Sequence, residues 1–317
     1  MHPQHNTLRV KSLTAAVVLF AAGSVAVLSV NPSSASASPI AEDNNSIGTG
    51  VELPDTITLD AVIRDFRPND WEGGHPDFQR FSGTTTVGLV ADELDADGKP
   101  VSSGNLRGMK ITSEYRDSQG RNINPAMYNQ QLGDTQGSLS AGPSSNGFDS
   151  ESSFRQWYRD VPGVNVSKTI ALTFNRTPGT NKYVFDSATD TEHGTGGFFP
   201  INNDLYGNYT SDKNFHFTTE VNTQFVFTRG IGQVFKFTGD DDVWVFIDGK
   251  LVVDLGGLHS VKEQFLDLDR LDWLQDGKTY TLDIFHAERR TSASNFRVET
   301  TLELRSVELP PTAALYD

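Results

Sequence analysis

Three consecutive carboxylates, Asp240, Asp241 and Asp242, stand before a run of five apolar residues, Val243–Ile247, and an Asp248-Gly249 pair. Like charges this close repel, so a fold must leave them solvated, neutralise them by protonation, or fill the cluster with a cation. Calcium is the natural cation, because it takes several oxygen ligands at flexible geometry and consecutive aspartates supply both carboxylates and carbonyls. A solvated turn, in which Asp is a favoured residue, accounts for the same three residues. Neither reading is excluded by residue type.

The elements around the aspartates follow from periodicity. Phe235 and Phe237 alternate with Lys236 and Thr238, the period of a strand with one buried face, and Gly239 breaks it. Val243–Ile247 has no polar member, so as a strand it must be covered on both faces. Asp248-Gly249 suits a two-residue hairpin turn with positive φ at both central positions, and Lys250–Val253 returns as the partner strand. The aspartates are therefore expected in a loop at one end of a hairpin central to the sheet. Further strands are expected over Asp55–Arg64, Ile170–Phe174, Lys182–Phe185, from Tyr280 to Ile284 and from Phe296 to Leu304. The pairs Phe215/Phe217, Phe225/Phe227 and Phe235/Phe237 read as three short strands with one aromatic, core-packed face. Leu266–Asp272 alternates apolar and acidic residues on a strand or extended arm, and Phe154, Trp157 and Tyr158 share the spacing of one short helical face. Phe66–Phe81 reads as an ordered loop pinned by aromatics, with His75 packed or at the surface. Asp117–Ser150, dense in Gly, Ser, Asn and Gln, reads as loop or insertion.

Composition narrows the function classes. The 26 basic and 41 acidic residues give a net charge of −15, which disfavours nucleic acid and anionic membranes as partners. With no cysteine there is no disulfide, no thiolate nucleophile and no zinc-thiolate site. Residues 1–37 read as a secretory signal, with Arg9 and Lys11 before the apolar Leu13–Val30 and a small-residue cleavage site at Ala35-Ser36-Ala37. That predicts an exported protein at the cell surface or outside the cell, with no membrane insertion after cleavage; the length of the apolar run leaves an uncleaved anchor as the alternative. Residues 38–56 read as a flexible spacer, 57–305 as one β domain and 306–317 as a tail. Asp95-Ala96-Asp97-Gly98 is a turn, since the spaced ligands and terminal Glu of an EF-hand are missing.

The segment GDDDVWVFIDGKLVVDLGG-x-H resembles the signature of the fibro-slime family, whose core is a protective-antigen-type lectin domain also found in yeast flocculins. Arg64-Asp65-Phe66, His75-Pro76-Asp77-Phe78, Trp157–Gly163, Phe199-Pro200, Asn214–Thr218 and Tyr280–Arg289 agree with it, and the likeness spans residues 57–305. The resemblance implies an all-β fold, an antiparallel β-sandwich or barrel with long loop insertions. It further implies a Ca2+ held by two neighbouring aspartates and a later loop. Aligned on the hairpin turn, Asp240 and Asp241 match the metal-binding pair and Asn295 the later-loop ligand, within Glu288–Asn295. Asp242 stands where relatives often have glycine, which leaves open which two aspartates bind. Glu288 and His259 join the candidate loops; for His259 packing after the Gly256-Gly257 turn competes with a direct part in binding.

Three functions then compete. The first is a secreted calcium-dependent carbohydrate-binding or adhesion protein with a glycan or polysaccharide partner, the paired hydroxyls of a sugar filling open calcium positions. The second is a structural extracellular matrix protein, self-associating, in which calcium only braces loops. The third, a glycoside hydrolase, needs two carboxylates on either side of a bond, and adjacent aspartates are poorly placed for that. No G-x-S-x-G motif is present. The expectation is a binding protein and not an enzyme, with no catalytic residue assigned.

Overall fold

The computed structural model describes residues 52–193, 196–210 and 212–306. The expected signal segment, residues 38–51 of the expected spacer and residues 307–317 of the expected tail lie outside it.

The strands follow the alternation of the sequence. In order they are β1 (Thr56–Phe66), β2 (Thr86–Val87), β3 (Met109–Ser113), β4 (Ser138–Pro143), β5 (Asn165–Arg176), β6 (Tyr183–Asp186) and β7 (Phe217–Val226). After these come β8 (Val234–Asp240), β9 (Asp242–Ile247), β10 (Lys250–Leu255), β11 (Lys262–Asp267), β12 (Thr279–Glu288), β13 (Asn295–Thr300) and β14 (Arg305–Ser306). The single α-helix among the described residues is the short α1 (Glu151–Phe154), capped by Ser150. No helix among the described residues is long and apolar enough to cross a membrane.

Ten strands hydrogen-bond in the order β10-β9-β12-β7-β1-β5-β6-β13-β8-β11, all antiparallel, and β14 adds to β7. The expected all-β antiparallel fold is present. The hairpin β9–β10 forms as its Asp-Gly turn predicts, but it lies at one end of the strand path and not at its centre. At the other end lies β11, and a side chain joins the two ends. The buried Gln264 amide of β11 accepts from the Asp254 N–H of β10 and donates to the Asp254 carbonyl, both at 2.9 Å. The sheet is thereby rolled into a near-barrel whose last seam is stitched by one amide.

The apolar run of β9 has the two-sided burial expected of it. Val243, Val245 and Ile247 pack into the barrel interior with Phe198, Phe217 and Phe237. Trp244 and Phe246 face a second cluster with Phe78, Phe148, Phe154, Trp157 and Tyr158. That second cluster is brought by the 66–81 loop and by α1, as their aromatic residues predict. The expected three short aromatic strands are a different arrangement: Phe217 and Phe225 share the ten-residue β7, while Phe215 and Phe227 lie outside it. The segment read as insertion also holds more order than its composition shows, since β4 pairs with β3, and β3 with β2, in a small second sheet.

Candidate functional site

Asp240 ends β8 and Asp242 begins β9, two strands near opposite ends of the strand path, so the aspartates mark where the chain crosses from one end to the other. The Asp240–Asp241 peptide is cis. The expected loop is a direct strand-to-strand junction, and of the two readings left open the solvated turn fails, since Asp240, Asp241 and Asp242 are only 4%, 6% and 0% exposed. Gly239 permits the approach of β13, for a Cβ there would stand 2.3 Å from the Asn295 carbonyl oxygen.

Each carboxylate goes a different way. Asp242 turns inward to an ion pair with Arg289 (Nε to Oδ2 2.7 Å), both side chains fully buried. Arg289 also donates to the Gly147 carbonyl at 3.0 Å and lies over the Trp157 ring at 4.8 Å. Asp242, a candidate for the ligand loop, is therefore a core ion pair in this structure. Asp240 turns to β13, accepting from the Asn295 N–H at 2.6 Å and the Asn295 side-chain amide at 3.0 Å. Its carbonyl accepts from His286 Nε2 at 2.9 Å. Asp241 accepts only from backbone, His259 N–H at 3.2 Å and Arg289 N–H at 3.3 Å. The His259 ring is turned onto the carbonyls of its own corner, Leu255 and Ser260.

Electrostatically the site is short of positive charge. Burial, with the Asp242 charge beside it, pushes the Asp241 carboxyl up to about 8, and burial also raises Asp240. Glu288, at the end of β12, is fully buried and pushed well above the carboxylate range, by burial first and then by Asp241 and Asp240. Glu288 Oε2 and the neighbouring Ser294 Oγ make no hydrogen bond of normal geometry. Burial holds His286 down to about 4, so it faces Asp240 as a neutral ring.

A cleft of about 450 Å³ opens beside Asp240, Asp241 and Asn295. Its walls are the 290–293 loop, the corner at Leu258–Val261, and Ser82-Gly83. The upstream wall is tied to the downstream loop, since Gln79 N–H donates to the Arg289 carbonyl at 2.7 Å and Arg290 donates to the Phe81 carbonyl. Asp240, Asp241 and Asn295 thus line one cleft with His259, while Asp242 and Glu288 lie behind it. Sequence reasoning missed Arg289 and His286, although both sit in the Tyr280–Arg289 stretch that carries the resemblance. Among the described residues no three Asp, Glu or His side chains converge as a metal-binding group.

Residues 177–308 match the PA14 domain. Among curated proteins, the chain is 42% identical over 147 residues to Protein psiI of Dictyostelium discoideum, covering 44% of this chain and 19% of that protein. It is 33% identical over 268 residues to Protein psiR of the same organism, covering 80% of this chain and 22% of the relative. The chain thus spans about a fifth of the length of these relatives. Among solved structures, the PA14 sugar-binding domain from an RTX adhesin matches at 10% identity and a TM-score of 0.25, over 39% of this chain and 75% of that one. The fold assignment rests on the strand order above.

Proposed function

We propose, starting from the PA14 domain at residues 177–308, that this is an exported carbohydrate-binding adhesion protein whose cleft binds a glycan with the help of calcium. The observation that carries the reading is the cleft itself, whose walls carry the Ser82, Ser260, Thr291 and Ser292 hydroxyls, the Asn295 amide and Arg290, over two buried carboxylates that burial raises. PA14 is a sugar-binding domain family, which supports a sugar as occupant.

The residues present suit a divalent cation held by oxygen. Asp240 and Asp241 line the cleft and are raised by burial, and a positive ion beside the two would restore their ionised forms. With only two carboxylates at the cleft, the ligand set is completed by Asn295 Oδ1, backbone carbonyls and water, a mixture that calcium accepts. Bound calcium offers its unfilled positions to neighbouring hydroxyls of a sugar. The chain does the rest: Asn295 and His286 orient Asp240, the backbone amides of His259 and Arg289 orient Asp241, and the 290–293 loop presents polar groups for selectivity. The chemistry is binding, since adjacent aspartates on one floor do not flank a glycosidic bond.

The test is a glycan array probed with multimerised protein, because a shallow site binds weakly and adhesion draws on many copies. Retention is expected with calcium and lost with chelator or in Asp240→Ala/Asp241→Ala. Equal retention by wild type and the double variant removes the glycan role from this cleft. No retention on any glycan, together with a chelator-sensitive melting temperature, places calcium in a purely structural role and favours a matrix protein.

A further inference from the structure

The cleft does not end at the aspartates. Gly83 also lines a second hollow of about 500 Å³ formed by Thr84, Lys110, Ser140 and Ser144-Ser145, so the two hollows adjoin at Gly83, where a Cβ would stand 2.5 Å from the Asn146 side-chain amide. The floor between them is fixed. The fully buried Asn146 accepts from the Leu258 N–H at 3.0 Å and donates to the Thr84 carbonyl at 2.5 Å, joining the walls of both hollows. The second hollow belongs to β3, β4 and their flanks, outside residues 177–308.

Its chemistry differs from that of the first. Ser140 Oγ donates to the Gly142 carbonyl at 2.9 Å and Ser145 Oγ donates to the Ser82 carbonyl at 2.7 Å. With their protons committed to the protein, and Ser140 Oγ also accepting from the Lys110 backbone N–H at 3.1 Å, each hydroxyl keeps a lone pair that accepts from a hydroxyl donor on a ligand. Lys110 is exposed and is the only charged residue lining this hollow, presenting three N–H donors and a positive charge. A hydroxyl-bearing unit with one carboxylate satisfies both. A polyanion does not, because the chain carries a net charge of −15.

We infer that the two adjoining hollows together take one glycan of at least two units that spans Gly83, with a neutral unit beside Asp240 and Asp241 and a unit bearing a single carboxylate beside Lys110. This rests on the glycan reading above and adds the length and charge of the ligand. The upstream small sheet then sets specificity, and the carboxylate gains a charge-assisted hydrogen bond from Lys110.

The experiment uses an array printed with monosaccharides and matching tetrasaccharides, each neutral or carrying one uronic acid, probed in calcium by wild type, Lys110→Ala and Gly142→Trp. Gly142 lines the hollow, a Cβ there meets no atom within 4 Å and its backbone is not in the left-handed region, so an indole is accommodated and is expected to obstruct the hollow. Unchanged melting temperatures verify this. Wild type is expected to retain the uronic tetrasaccharide about tenfold more tightly than the neutral tetrasaccharide, the size of one charge-assisted hydrogen bond, and both more tightly than the monosaccharides. Lys110→Ala should reduce it to the level of the neutral tetrasaccharide, and Gly142→Trp should reduce every tetrasaccharide to the monosaccharide level. Monosaccharide binding should be the same in all three. Equal affinity for short and long glycans in wild type, or no effect of Gly142→Trp, overturns the groove while leaving the first site standing. Loss of the length gain without loss of the uronic preference in Gly142→Trp overturns the placing of the acid at Lys110. Binding of no sugar of any length overturns both readings.

Discussion

At the scale of single residues, three aspartates in a row do three separate jobs because their neighbours differ. Asp242 is the structural one. Its ion pair with Arg289 is fully buried, and removing one partner leaves the other charged and unsolvated. Arg289→Met is therefore expected to destabilise the protein by about 3–5 kcal/mol in urea denaturation. Adding Asp242→Leu should cost less than the sum of the two single variants, as for any coupled pair. Strict additivity would show that the two charges do not act together. The position of Asp242 was not legible in the sequence, because Arg289 lies 47 residues away and nothing local links them. Asn295 was legible only through resemblance, and in the structure its side-chain amide donates to Asp240. The carboxyl environment of Glu288 could not be read at all, since burial is a property of the assembled barrel.

At the scale of elements, the seam between β10 and β11 is the place where the barrel depends on a side chain. Gln264→Ala should expose the Asp254 amide, so its hydrogen exchange should accelerate while amides in the middle of β1 stay protected. The two lost hydrogen bonds should lower stability by about 1–3 kcal/mol. An Asp254 amide as slow as in wild type would mean that main-chain pairing closes the seam instead. Periodicity in the sequence located most of the strands, because one buried face forces alternation. The five-residue apolar run gave two-sided burial for β9, and the two clusters on its faces bear this out. Strand order was another matter: the hairpin sits at the end of the path, a fact that local patterning does not encode. Likewise β4 hides in a Gly- and Ser-rich segment because its pairing uses backbone groups and few apolar side chains.

At the scale of the whole molecule, buried ionisable groups of opposite type make stability depend on pH in opposing ways. Asp65 is held by the Asn214 amide and the Tyr206 N–H, and burial nevertheless raises its carboxyl to about 7. The folded state then binds a proton that the unfolded state has lost, so this term weakens the fold as pH rises from about 4 to about 7. Burial lowers His216 to about 4, so the unfolded state binds the extra proton and this term strengthens the fold as pH rises from about 4 to 6.5. Chemical denaturation from pH 4 to 7 should show Asp65→Asn gaining stability relative to wild type as pH rises, by up to roughly 4 kcal/mol. His216→Gln should drift the other way. Parallel curves for either variant would remove that residue from the pH response.

The strand order also dictates when the molecule can be completed. Only β13 pairs with both β6 and β8, so until residues 295–300 are in place the backbone ladder of the main sheet is in two pieces, β10 through β6 and β8 with β11, which meet across the Gln264 seam. The first strand pairs with partners at least 99 residues downstream, from Phe66 with Asn165 outward, and closure of such distant contacts makes for slow folding. Asn295, which opens β13, reaches Asp240 in the same act that unites the pieces. The cleft is accordingly a latch set last: a nascent chain stays without it until nearly the whole domain has been made.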